Sequence, residues 1–370
     1  MKDFNYWKQL HESERLDEFS SDSVGLLWLK TKSIIRTGLI EEFIAGNNIQ
    51  LKETAIGKQF IELFALLSLD VDGSHQLLNT YIKIKNEIQI GKLNVDQLVS
   101  ELYKLQNFKW GGDYQNSLDK YLVSRYVKVQ VPSYDTLMSK FETEINVAVQ
   151  GYVLNSWYNH WSTILIEHVF KSHKIVLPTV GQIKSVDFFI KDIPFDLKVT
   201  YLPAEYIKFK RKQKGLPVEI TFLKRKANEE GIVFDKNAKD ADIYYEIVEK
   251  MKDRNNVFCK TVLETLKQEK IEILNEAHSD PKILATWLYE NQGEMRFGAE
   301  NRLFLVLVDM NDFGNSWKLK RNIDLLKPAI LNYLDRFINK KSEDLKIEFR
   351  YKGKTQIYTP LTDIIFVTKS

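Results

Sequence analysis

The sequence predicts an α/β (α+β) core over 151–370, with a mixed central β-sheet flanked by helices, preceded by a largely α-helical N-terminal region over 1–150. Three observations carry this. Before about residue 150, apolar residues recur mostly at helical spacing; beyond it, short β-branched and aromatic runs alternate with helical patterns; and one run, 302–309, is apolar on both faces like the central strand of a covered sheet. A chain of 370 residues also exceeds the roughly 100–200 of one ordinary domain, which suits two regions.

The elements follow in order. Phe60, Leu63, Phe64 and Leu67, then Leu77, Leu78, Tyr81 and Ile82, form packing stripes of helices. Turn-favouring residues break the pattern at Gly46, Asn47 and Asn48, at Asp72, Gly73 and Ser74, at Gly91, and at Gly111 and Gly112. An aromatic-rich helix is expected over 152–171, with Trp157, Trp161, Ile164, Leu165 and Val169 on its buried side. Strand texture begins at 186–201 and returns at 302–309, 346–351 and 363–368, with helical patterns over 240–276 and 322–339.

Composition excludes several classes. Hydrophobic residues are 44% and charged residues 28%, with 8 Pro and 16 Gly, so collagen-like, Pro-rich and wholly disordered chains are ruled out. Lys and Arg number 53 against 50 Asp and Glu, and a net charge of +3 points to no polyanionic partner by itself; any basic surface must be local. The single Cys259 excludes an intrachain disulfide and a cysteine-based zinc site, and suits a reducing compartment. No apolar run is long enough to span a membrane and the first twenty residues are too charged for a signal peptide, so a cytoplasmic location is expected.

Chemistry concentrates in 186–201. If Lys191 and Asp192 form a two-residue hairpin loop, Ile190 faces Ile193, Phe189 faces Pro194, Phe188 faces Phe195, and Asp187 faces Asp196. Directly opposed side chains have Cβ atoms roughly 4.5–5.5 Å apart, where like charges repel unless something lies between them. A divalent cation resolves that conflict. Alternation places Phe195, Leu197 and Val199 on one face and Asp196, Lys198 and Thr200 on the other, so a lysine shares the carboxylate face. Carboxylate oxygens suit Mg²⁺, with Mn²⁺ as a substitute, and Mg²⁺ is commonly held by one or two carboxylates together with a substrate phosphate. Such an ion lowers the pKa of bound water and polarises a phosphate oxygen, while a neighbouring lysine orients or deprotonates the attacking water.

Asp187 with Asp196, Leu197 and Lys198 resembles the PD-(D/E)XK nuclease superfamily, in which an Asp on one strand and an Asp/Glu-X-Lys on the next hold the metal. The pattern often adds a Glu on the preceding helix, and Glu167 stands twenty residues before Asp187. The resemblance spans roughly 155–310, and Val186 replaces the literal Pro before Asp187. It implies a nuclease core in which Asp187, Asp196 and Glu167 bind Mg²⁺ and Lys198 positions the nucleophilic water. Within the superfamily the chain looks most like a bacterial type II restriction endonuclease, given its size, its lack of an ATPase loop and its large additional elements. That implies a homodimer cutting double-stranded DNA at a short site and a cognate DNA methyltransferase acting on the same site. The helical region over 1–150 would then supply specificity, dimerisation or both.

Behind the hairpin, a basic insertion around 205–230 gathers Lys208, Lys210, Arg211, Lys212, Lys214, Lys224, Arg225 and Lys226, interleaved with Tyr206, Phe209 and Phe222 and opposed locally by Glu219. Such clustering suits contact with nucleic-acid phosphates, as does 317–321, though both also suit solvated surface. Asp187, Asp196 and Lys198 could equally form a salt-bridged polar face on an exposed hairpin, and Glu167 an ordinary solvent-facing residue. Two functional alternatives stand beside the restriction enzyme: a DNA-repair or phage-defence nuclease with structure-specific or RNA substrates, and an inactive nucleic-acid-binding protein. Other features carry less. Asp70 and Asp72 lack the remaining oxygen ligands of a calcium loop, His160, His168 and His173 lack zinc-protease spacing, and Asp309 and Asp312 end an apolar strand without a specified role.

Overall fold

Short polar side chains set the helix starts of the N-terminal half, because the first amides of a helix lack partners within it. The computed structural model describes residues 2–13, 15–106, 118, 122–128, 133–291, 300–351 and 355–370; the expected break at Gly111 and Gly112 lies outside them. Asp3 accepts the Tyr6 amide at 2.9 Å to start α1 (Phe4–Glu12), and Asp22 accepts the Val24 and Gly25 amides to start α2 (Ser23–Ser33). Next come α3 (Thr37–Gly46), α4 (Ile56–Leu67), α5 (Val71–Ile90) and α6 (Val95–Tyr103). Asp70 is the cap of α5, accepting the Gly73 amide at 3.0 Å, which accounts for the motif that echoes a calcium loop. Helix α7 (Tyr134–Lys140) runs through a π-helical turn, Phe141–Ile145, straight into α8 (Asn146–Lys171).

Five strands form one mixed sheet in the order β1-β2-β3-β4-β5: β1 (Val176–Ile183), β2 (Val186–Ile190), β3 (Ile193–Tyr201), β4 (Arg302–Asp309) and β5 (Thr362–Lys369). The first three are antiparallel neighbours; β4 lies parallel to β3 and β5 parallel to β4. Parallel neighbours need long crossovers. The first carries α9 (Ala204–Gln213), α10 (Glu219–Glu229), α11 (Asp240–Arg254), α12 (Val257–Ser279) and α13 (Pro281–Asn291); the second carries a 3₁₀ segment, Phe313–Arg321, then α14 (Ile323–Phe337) and α15 (Ser342–Leu345). The expected α/β core with a mixed sheet flanked by helices is therefore observed, after a run of helices.

Helices cover both faces. On one, Phe188, Phe195, Leu303, Leu305 and Val367 pack against Ile166, Val169 and Phe170 of α8 and against α14. On the other, β4 presents Phe304, Val306 and Val308 to α9, α12 and α13, while Leu177, Ile183, Val186 and Phe189 share a core with the N-terminal helices. Two glycines permit that second contact. A Cβ at Gly25 would stand 2.6 Å from the Trp7 ring, and one at Gly181 would stand 2.3 Å from the Ser33 carbonyl oxygen, so α1 closes on α2 and β1 on the end of α2 only without side chains there.

Three expectations need correction. Residues 346–351 are not a strand: Ile347, Phe349 and Tyr351 are buried in alternation, but only isolated bridges form, Lys346 with Leu361 and Phe349 with Tyr358. The Ile347 amide donates to the Pro360 carbonyl, and proline has no N–H to return. The helical patterns expected over 240–276 are observed as two helices, divided where Asn255 takes a left-handed conformation at φ 50° and Asn256 caps α12. On α8 the buried stripe is Tyr158, Ser162, Leu165, Ile166, Val169 and Phe170, while Trp157 is exposed. The Tyr158 hydroxyl donates to the Trp317 carbonyl at 3.0 Å, turning the helix so that tyrosine, not Trp157, faces inward. Residues 317–321 do not join a basic surface, since Trp317, Lys320 and Arg321 are buried and Arg321 donates to the Leu102 carbonyl.

Candidate active site

The β2–β3 hairpin has the register its two-residue loop dictates. Lys191 and Asp192 both have positive φ, 48° and 67°, as a type I′ turn requires, and Ile190 pairs with Ile193, Phe189 with Pro194 and Phe188 with Phe195. Lys30 of α2, 1% exposed, reaches Asp192 at 2.7 Å and fastens the loop from outside.

Beyond Phe188 and Phe195 the two strands part. The Asp196 amide turns to the Asn301 carbonyl at 2.9 Å, opening the parallel ladder with β4, and the Leu197 amide, left without a backbone partner on β2, donates to Asp187 Oδ2 at 2.7 Å. The Thr179 hydroxyl holds the Asp187 carbonyl from β1 at 3.0 Å. Asp187 and Asp196 therefore sit where the sheet splits, on the face that carries Phe189 towards the N-terminal helices and Phe304 towards α13.

The two carboxyls have different surroundings. Asp196 is buried, with Lys198 Nζ 2.9 Å from Oδ1 and 2.8 Å from Oδ2, and Arg302 Nε 3.7 Å from Oδ2. Asp187 forms no ion pair with a described residue. Burial pushes its carboxyl up to about 6, the charges of Asp196 and Glu167 adding to the rise while the Leu197 amide and Lys198 oppose it. A carboxyl so placed gains from any cation that arrives between it and Asp196.

Glu167 does not complete a ligand set. It stands on α8, whose Ile166, Val169 and Phe170 pack the opposite face of the sheet, and it pairs with Lys171 at 2.6 Å. Among the described residues, no three Asp, Glu, His or Cys side chains converge as a metal shell. The donors that fit Mg²⁺ or Mn²⁺ are thus the two strand carboxylates, with the rest of the shell left to water and phosphate oxygens.

Two further residues belong to the site. Glu300 and Arg302, 3% and 2% exposed, pair at 2.9 Å; Ser185 donates to Glu300, and the Arg302 guanidinium lies 4.9 Å from the centre of the Tyr289 ring. A buried pair of this kind fixes the geometry around Asp196. Their signal in the sequence is a pair of charges opening an otherwise apolar strand.

The basic insertion is paired with carboxylates, some within the insertion and some from α11 and α12. Lys208 pairs with Glu205, Lys210 with Glu276, Lys214 with Glu272 and Glu276, Lys224 with Asp240, and Arg225 and Lys226 with Glu229. Arg211 is 1% exposed and pairs with Glu269, so it cannot meet a polyanion as expected. Lys212 is exposed and forms no ion pair with a described residue. Cys259 is buried, and burial raises its thiol, as befits a packing residue. Comparisons with protein-family models, curated proteins and solved structures return no match.

Proposed function

We propose that the chain is a metal-dependent endonuclease that hydrolyses DNA phosphodiester bonds, a reading carried by the placement of Asp187 and the Asp196–Lys198 pair on adjacent strands where the sheet splits. Asp187 and Asp196 would hold Mg²⁺ or Mn²⁺, which when bound acidifies water and polarises a phosphate oxygen. Lys198, fixed against both oxygens of Asp196, orients the attacking water and offsets charge building on the phosphoryl oxygens. Arg302 and Glu300 keep Asp196 in place from below. Glu167 acts through its charge on Asp187.

The resemblance to type II restriction endonucleases extends the proposal to a homodimer that cuts at a short duplex site, with a methyltransferase partner. The test is incubation of purified protein with unmethylated plasmid and Mg²⁺, with EDTA as control, followed by sequencing of the ends. Discrete fragments with common ends support a site-specific enzyme. A smear supports a repair or defence nuclease instead, and intact DNA at every metal tried removes the nuclease reading.

A further inference from the structure

A groove of about 440 Å³ opens between α1, α2 and α4 and the turn joining β1 to β2. Its volume falls in the range of roughly 300–1,000 Å³ usual for ligand sites. Trp28 and Phe60 form its apolar wall, and among the described residues Lys8, Lys32 and Lys184 line it together with the carboxylate of Glu12. Glu12 is already engaged by Lys8, at 3.9 Å.

Lys32 is the informative member. It lies 5.4 Å from the Trp28 ring and 5.8 Å from the Phe60 ring and forms no ion pair with a described residue. Half-buried, it is held below the ordinary lysine value by burial, with Glu12 opposing and Arg36 and Lys8 adding to the depression. Lys32, half-buried and in no ion pair with a described residue, gains from an anion that enters beside it. The indole N–H of Trp28, on the same wall, is buried without an acceptor among the described residues. Lys184 fixes the groove's place in the molecule. It lies in the turn from β1 to β2, three residues before Asp187, which bounds their Cα separation at roughly 11 Å.

We propose that this groove seats a backbone phosphate of a nucleic-acid strand next to the one at Asp187, with Lys8, Lys32 and Lys184 on the phosphate oxygens and the sugar against Trp28 and Phe60. The occupant's identity as nucleic acid rests on the nuclease reading; the anion site does not. The N-terminal helices thereby become part of the substrate track rather than an appended module, a role the ion-paired insertion behind β3 fills less well.

The test is binding without cleavage. Anisotropy of a fluorescein-labelled duplex is measured in EDTA across a salt series for the intact chain, Lys32→Ala and Gly57→Trp. A Cβ at Gly57 meets nothing within 4 Å, so a large side chain there fills the groove without crowding its neighbours. Each variant should weaken binding about tenfold, and Lys32→Ala should lower the slope of log affinity against log salt by about 1. Inorganic phosphate should compete with the duplex in the intact chain and not in Lys32→Ala. If Gly57→Trp does not fold, Lys32→Ala decides. Unchanged affinity and slope in Lys32→Ala, no duplex binding by the intact chain, or phosphate binding without duplex binding overturns the proposal. Cleavage with Mg²⁺ is scored separately: its absence beside lysine-dependent duplex binding sinks the nuclease reading and leaves the groove standing.

Discussion

Asp187 Oδ2 accepts the Leu197 amide at 2.7 Å across the gap where β2 and β3 separate. One carboxyl thus serves two ends. It completes the hydrogen bonding of β3 at the point where the ladder fails, and in the proposed site it would also be, beside Asp196, a ligand to the metal.

That dual role gives Asp187 a pH signature. Its folded-state pKa, about 6, lies above the ordinary 3.8, so the native state holds the proton more tightly. The stabilisation is complete below about pH 4 and is lost as pH rises through about 6, and ionised Asp187 then costs on the order of 3 kcal/mol. Asp187→Asn keeps an acceptor for Leu197 and cannot ionise. Urea unfolding in EDTA should show the variant gaining on the native chain between about pH 4 and 7, with Asp187→Ala following the same pH trend about 1–3 kcal/mol below Asp187→Asn. Parallel pH profiles of native chain and Asp187→Asn would contradict this.

Lys320 should behave in the opposite sense. Burial lowers its amine to about 8, and it donates to Asn159 Oδ1 at 2.8 Å. A lysine with a depressed folded pKa contributes fully above about pH 10.5 and loses that contribution as pH falls through about 8. Lys320→Met should therefore stabilise the chain at about pH 7 by about 1–3 kcal/mol, net of the lost hydrogen bond, and by little at about pH 10. Thermal melts at both pH values read the difference.

Neighbours in the basic insertion should separate by phenotype. Arg211→Ala removes a buried guanidinium from a partly exposed Glu269 and should cost about 1–3 kcal/mol, read by urea denaturation. Lys212→Ala should leave stability unchanged and, if the insertion touches DNA at all, reduce the salt slope of binding by about 1. The reverse pattern would mean that the pairing around α9 is misassigned.

Local chemistry was legible in the sequence and distant pairing was not. The hairpin followed from Lys191 and Asp192 alone, because loop length fixes register and register fixes which side chains meet. β1 is not legible in the sequence because Pro178 and Gly181 interrupt its alternation, and its pairing with β2 is irregular between Pro178 and Ile183. In the sequence Glu219 is the local counter-charge of the basic cluster, because Glu269, Glu272 and Glu276 arrive from α12, far along the chain. Glu167 is on the expected element, but which way it points depends on how α8 rolls against the sheet, and Tyr158 sets that roll.

The central claim is that Asp187, Asp196 and Lys198 cut phosphodiester bonds. Its most direct test is DNA cleavage with Mg²⁺ by the native chain, Asp196→Ala and Lys198→Ala, alongside duplex affinity measured in EDTA. The account predicts metal-dependent cleavage by the native chain, reduced at least about 100-fold in each variant while affinity stays within a few-fold. Unchanged cleavage in both variants, or no cleavage by the native chain with either Mg²⁺ or Mn²⁺, would contradict it.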